Sequence, residues 1–144
     1  MRTSEAHGHK VVSSASAVTV GRIDRFVIDV PARHIIGFFL KKTSGAGDTL
    51  SWSSVAAFGT DAVTVASDDA VVVADGRLKE LGDKRFAVQG KRVLSQAGVE
   101  LGTVKDIDFD PADGAVRALL TDREEIPGAR LIGVGSYAVI VAVA

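Results

Sequence analysis

The chain reads as an all-β protein in which one small barrel unit is used twice. Three observations predict this. Two alternating apolar and polar runs flank a tight turn at Pro111–Gly114, which is the signature of a half-buried hairpin. The same pattern stands earlier in the chain, so that Gly21 falls on Gly102, Asp29 on Asp110 and Ile35 on Val116, a displacement of 81 positions. The composition, 47% hydrophobic and rich in Val but only 6% aromatic, favours a core of β-branched side chains over a helical bundle.

The hairpin of the second copy defines the unit. Asp106, Asp108 and Asp110 alternate with Ile107 and Phe109. Pro111-Ala-Asp-Gly114 supplies turn chemistry, with φ preset at Pro and a glycine that takes positive φ freely. Pairing Asp110 with Ala115 predicts Phe109 opposite Val116, Ile107 opposite Ala118, and an Asp108–Arg117 charge pair on the wet side. Val104 cannot share a face with Ile107 and Phe109 in a regular strand, nor Ile23 with Phe26 and Ile28. A β-bulge at Lys105–Asp106 and another at Asp24–Arg25 would resolve both conflicts. Two further blocks repeat in the same order. Gly8–Ser13 matches Gly90–Ser95, and Gly59–Val65 matches Gly135–Val141. Recurrence of three blocks in one order indicates an internal duplication.

The remaining elements follow in order. Thr3–His7 reads as one helical turn. Val11–Ser13, Val18–Asp29 and His34–Lys41 are strands, and Thr43–Asp48 is a flexible loop. Leu50 resumes a strand, Trp52–Val55 is a turn or short helix, and Ala62–Val65 closes the first unit. The division expected is a first domain over 1–67, a connector over 68–89 and a second domain over 90–144. The connector holds a short helix at Arg77–Leu81, and its apolar runs Val71–Val73 and Phe86–Val88 lie on the barrels as added strands. The last strand, Ala138–Val143, carries order to the C-terminus.

These blocks carry a family resemblance. Gly90-Lys-Arg-Val-Leu-Ser95 with Gly98-Val-Glu-Leu-Gly-Thr-Val-Lys-Asp-Ile-Asp-Phe-Asp-Pro111 and Gly114-Ala-Val116 resembles the PRC-barrel family. Gly21–Asp29, Leu50-Ser-Trp-Ser-Ser-Val55 and Gly59–Val65 look like a second member, so that the resemblance covers most of the chain as two tandem domains. It implies a roughly six-stranded barrel used for protein contacts, as in the cytoplasmic part of the photosynthetic reaction-centre H subunit and in a small-subunit ribosome-maturation factor. No catalytic motif comes with it. The second copy departs from the pattern in lacking a counterpart of Leu50–Ser54.

Composition narrows the function. Seventeen basic and 18 acidic residues leave a net charge of −1, so no basic surplus exists to neutralise phosphates, and direct nucleic-acid binding is not expected. There is no cysteine, hence no disulfide or thiolate chemistry. The first ten residues hold no apolar signal core, and no apolar run reaches the roughly 18 residues of a membrane-spanning helix. A cytoplasmic protein is expected.

Three motifs suggest chemistry and are outweighed. Gly133-Val-Gly135-Ser-Tyr-Ala138 resembles a dinucleotide fingerprint, but a strand follows where a helix is required. Asp106, Asp108, Asp110 and Asp113 resemble a calcium loop, but Pro111 and Arg117 stand where Gly and Glu belong. His7, His9 and His34 have no carboxylate or cysteine completing a ligand set. Trp52 reads as a barrel cap. No nucleophile sits beside an acid–base pair, so no enzyme, cofactor or metal is expected.

The leading expectation is a non-catalytic adaptor that docks a protein partner or itself. The alternatives are a ribosome-assembly or RNA-processing accessory factor and a small-ligand or metal-binding regulator. Carrying the hairpin register to the first copy places Ile35, Gly37 and Phe39 inside. It leaves Val27, Ile36, Phe38 and Leu40 as an apolar outer face, the candidate interface, to be covered by the second barrel, another subunit, a partner or the connector.

Overall fold

The computed structural model describes residues 1–143; Ala144, the last residue assigned to the second domain, lies outside the described residues. The first copy contains β1 (Lys10–Ser13), β2 (Thr19–Asp29), β3 (His34–Lys41), β4 (Thr49–Ser51), β5 (Val55–Phe58) and β6 (Ala62–Val65). The second contains β7 (Arg92–Ser95), β8 (Glu100–Phe109), β9 (Val116–Thr121), β10 (Glu125–Pro127), β11 (Leu131–Val134) and β12 (Val139–Val141). Short helices α1 (Thr3–Ala6) and α2 (Gly76–Leu81) precede them. The protein is therefore mostly β, in two six-stranded mixed sheets with the orders β4-β3-β2-β1-β6-β5 and β10-β9-β8-β7-β12-β11. In each, one parallel pair, β1 with β6 and β7 with β12, joins the first and last strands of the unit.

The irregularities repeat as faithfully as the strands. The expected bulges are present, with Asp24 left over between the Ile23–Leu40 and Arg25–Phe39 pairs and Lys105 left over between Val104–Thr121 and Asp106–Leu120. A second bulge in each hairpin was not expected. Val27 pairs with Gly37 and Ile28 with Ile35, leaving Ile36 over; Asp108 pairs with Ala118 and Phe109 with Val116, leaving Arg117 over. A third leaves out Val20 in β2 and Leu101 in β8, and a fourth Ala56 in β5 and Ile132 in β11. All four fall at equivalent positions of the two copies. Bulges are specific features of a strand pair rather than accidents, so their coincidence is strong support for duplication. The missing counterpart of Leu50–Ser54 is also there: Ile126–Pro127 continues into a 3₁₀ turn at Gly128–Arg130, as Leu50–Ser51 continues into one at Trp52–Ser54.

The second hairpin bulge corrects the expected faces, because one extra residue exchanges the two sides of a strand. Phe38 and Leu40, expected outside, are 0% and 6% exposed and belong to the core. Gly37 and Phe39, expected inside, face outward. In the second copy Leu119 is the fully buried core residue, and Ile107 lies opposite it rather than opposite Ala118. The expected Asp108–Arg117 pair does not form; Arg117, displaced by the bulge, meets Asp110 at 2.9 Å instead.

The connector covers the first copy's outer face, and it does so with α2 rather than with Val71–Val73. Leu78 fills the space over Gly37, and Gly82 sits directly on the Phe39 ring. Arg77 Nε and Nη2 both donate to Asp29 Oδ2, at 3.0 and 2.8 Å. Val27, 2% exposed, lies on this same outer side opposite Gly37. The four candidate interface residues therefore share no face: Val27 lies under the connector, Phe38 and Leu40 in the core, and Ile36, half-buried, in the bulge. Of the expected added strands, only Val72 pairs. Its N–H and C=O bond Thr49 reciprocally at 2.9 Å.

Candidate functional site

The two copies meet through their hairpin turns, and the contact is reciprocal. The Ile35 N–H donates to Gly114 O at 2.8 Å, and the Val116 N–H donates to Arg33 O at 2.9 Å. These are the same bond written twice under the repeat. Between them His34 bridges Ala115, its own equivalent. Such self-pairing marks a pseudo-two-fold axis and an isologous interface, as in a symmetric dimer. Gly114 has φ of +80°, and its counterpart Arg33 holds +60° with a side chain present. Arg33 Nε donates to Leu131 O of the other copy at 3.1 Å, which helps hold it in that conformation.

The cores also merge. Phe109 of the second copy enters an aromatic group of the first, 5.8 Å from Phe26 and 5.5 Å edge-on from Phe58. Trp52 stacks on Phe58 at 5.6 Å and lies over the Gly114 turn. It thus caps the barrel and also bridges the copies. Its counterpart, Gly128, packs so closely on the Val116 carbonyl that no side chain fits there.

A cleft of about 550 Å³ opens where the copies adjoin. It is lined by equivalent positions from both: Phe26 and Ile107, Arg25 and Asp106, His7 and Gln89. Ile28, Ala87 and Val88 complete a mainly apolar floor. At its mouth Asp24, in the first bulge, approaches His7 Nε2 at 3.6 Å. Arg25 sets its guanidinium 4.5 Å over the Phe39 ring and donates to Gly82 O. Partial burial pushes the Asp106 carboxyl up, but hydrogen bonds from Ser4 Oγ, Ile107 N, Ser4 N and Thr3 Oγ together outweigh it and hold the group below its ordinary value.

The aspartate row does not converge. Asp106 is bound by α1, Asp108 by the Met1 amino group at 3.1 Å, and Asp110 by Arg117 and Ala112 N. Among the described residues no three metal-ligating side chains cluster. His7 lines the cleft, His9 Nε2 lies 2.8 Å from Thr60 O, and His34 sits on the pseudo-axis. Gly133–Ala138 is the β11–β12 turn, closed by Gly135 N–H to Ala138 O. In a second, polar recess, burial lowers the Lys91 pKa, and its ammonium donates to Arg85 O and Gly135 O at 2.8 and 2.9 Å. Those bonds hold the connector to the β11–β12 turn, so Lys91 is a tether. No helix among the described residues is long and apolar enough to cross a membrane.

The family model for the PRC-barrel domain matches residues 84–142, so the second copy carries a PRC-barrel domain. The match starts inside the stretch read as connector. No curated protein matches the chain.

Proposed function

We propose that the first copy is a second, diverged PRC-type barrel and that the pair is a non-catalytic, cytoplasmic adaptor docking a protein partner. The repeated bulges support the tandem reading. One observation carries the docking site. At the outer edge of the first sheet, Thr49 of β4 exchanges two backbone bonds with Val72, an extended segment added to the edge. The equivalent residue of the second sheet is Glu125 of β10, whose pairing with Leu120 repeats that of Thr49 with Phe39. Leu40 N–H to Asp48 O is likewise repeated by Thr121 N–H to Glu124 O. Glu125 therefore directs its N–H and C=O outward as Thr49 does, and among the described residues no segment meets them.

An open edge of this kind recruits an extended strand of another protein. Pro127 and the exposed Glu125 side chain keep the edge short, which restricts addition to about one residue pair and suits a transient contact. The occupant is an extended apolar segment of a partner, of the kind Val71–Val73 provides in the first copy.

Affinity capture from native lysate, with the wild type and Glu125→Pro side by side, tests this. The substitution deletes the outward N–H and no bond within the chain. The expected result is a partner held by the wild type and lost by the variant at unchanged melting temperature. A partner held equally by both would overturn the edge, and ribosomal proteins as the partners would favour an assembly factor instead.

A further inference from the structure

We infer that the cleft between the copies binds a small organic monocation, an amine carried on an apolar body. This goes beyond strand docking at β10 and does not rest on it. The cleft, at about 550 Å³, lies in the range of small-molecule sites, and it lies between two units, where such sites concentrate. Its floor of Phe26, Ile28, Val88 and Ile107 offers an apolar body a place away from water.

The charges at the mouth set the sign of the ligand. Arg25 also lines the cleft, but its guanidinium is already engaged by the Phe39 ring and Gly82 O. Lys105, the counterpart of Asp24, is not among the lining residues. That leaves the Asp24 and Asp106 carboxylates. Asp106 is already bound by hydroxyl and amide donors, which leave its charge in place. The Asp24 side chain is 45% exposed and, among the described residues, has His7 as its one ionic neighbour, so it is the group free to take an ammonium. The pseudo-symmetry is thus broken where a ligand's head would lie, with Asp24 and His7 at one end and Gln89, bonded to Lys105 O, at the other.

Three probes of one shape test the assignment on the full chain: 3-phenylpropylamine, 3-phenylpropanol and 3-phenylpropanoate, titrated calorimetrically. The amine is expected to bind at a single site, with the alcohol about tenfold weaker and the acid weaker still. Asp24→Asn should weaken the amine toward the alcohol and leave the alcohol unchanged. Ala87→Trp, which fills the cleft from the exposed connector, should abolish binding of both without lowering the melting temperature. Equal binding of the three probes, amine binding that survives Ala87→Trp, or no saturable binding of the amine would each overturn the assignment.

Discussion

At the scale of single residues, Phe109 has the largest consequence. It is fully buried, and its neighbours Phe26, Trp52 and Phe58 all belong to the other copy. Truncation leaves a cavity that neither copy can close alone, so Phe109→Ala should cost about 3–5 kcal/mol in a denaturant melt. Phe38 and Leu119 are equivalent core residues, each 0% exposed. Phe38→Asp and Leu119→Asp should therefore both abolish folding, as circular dichroism would record. A folded, monomer-shifted Phe38→Asp protein would restore the outer-face reading. Asp106 gives a pH signature. Its folded pKa lies below its ordinary 3.8, so its contribution is present above that value and is lost as pH falls through the folded pKa. Melting temperature should drop in that acid range, and Asp106→Asn should flatten part of the drop.

At the scale of elements, the bulges decide which side of each hairpin is buried. The bulges at Asp24 and Lys105 were legible because Ile23 and Val104 clash in parity with their neighbours. Those at Ile36 and Arg117 were not. The runs Ile35–Ile36 and Phe38–Leu40 are apolar on both faces, because the core takes one side and α2 the other. In the second copy Ala118-Leu-Leu120 hides the parity in the same way. Strands, turns and the duplication could be read locally, whereas the cleft could not. Its lining comes from four separate stretches around His7, Asp24, Val88 and Asp106, and nothing in the spacing brings His7 to Asp24. The cover provided by α2 is itself testable. Leu78→Asp would place a charge over Gly37 and Val27, and should destabilise the protein by roughly 1.5–3 kcal/mol in a thermal or denaturant melt. An unchanged melt would mean that α2 does not hold the outer face.

At the scale of the whole molecule, two units too small to be robust alone are joined by reciprocal turns and a shared core. Units of about 60 residues bury only a modest share of their surface, and here each supplies part of the other's interior. The two copies differ at outer positions of the hairpin: Val27, under the connector, stands where the second copy has Asp108, and Ile36, in the bulge, stands where it has Arg117. Arrangement as an internal pseudo-dimer makes two demands. Unfolding must be one transition, and neither 1–67 nor 83–144 should fold when expressed alone. Both follow from Phe109 having its aromatic neighbours in the opposite copy and from Trp52 lying over the opposite copy's Gly114 turn.

Native-state hydrogen exchange, read by NMR at the Ile35 and Val116 amides, tests this union most directly. Both stand at the turn ends of β3 and β9, and each donates its N–H across the pseudo-axis to the other copy's turn rather than within its own barrel. The expected result is that the two exchange together, at the slow rate of core amides such as Val11 and Val93, because only global unfolding opens them. Rapid exchange at either one, with the core amides still protected, would show two barrels merely tethered and would contradict the account.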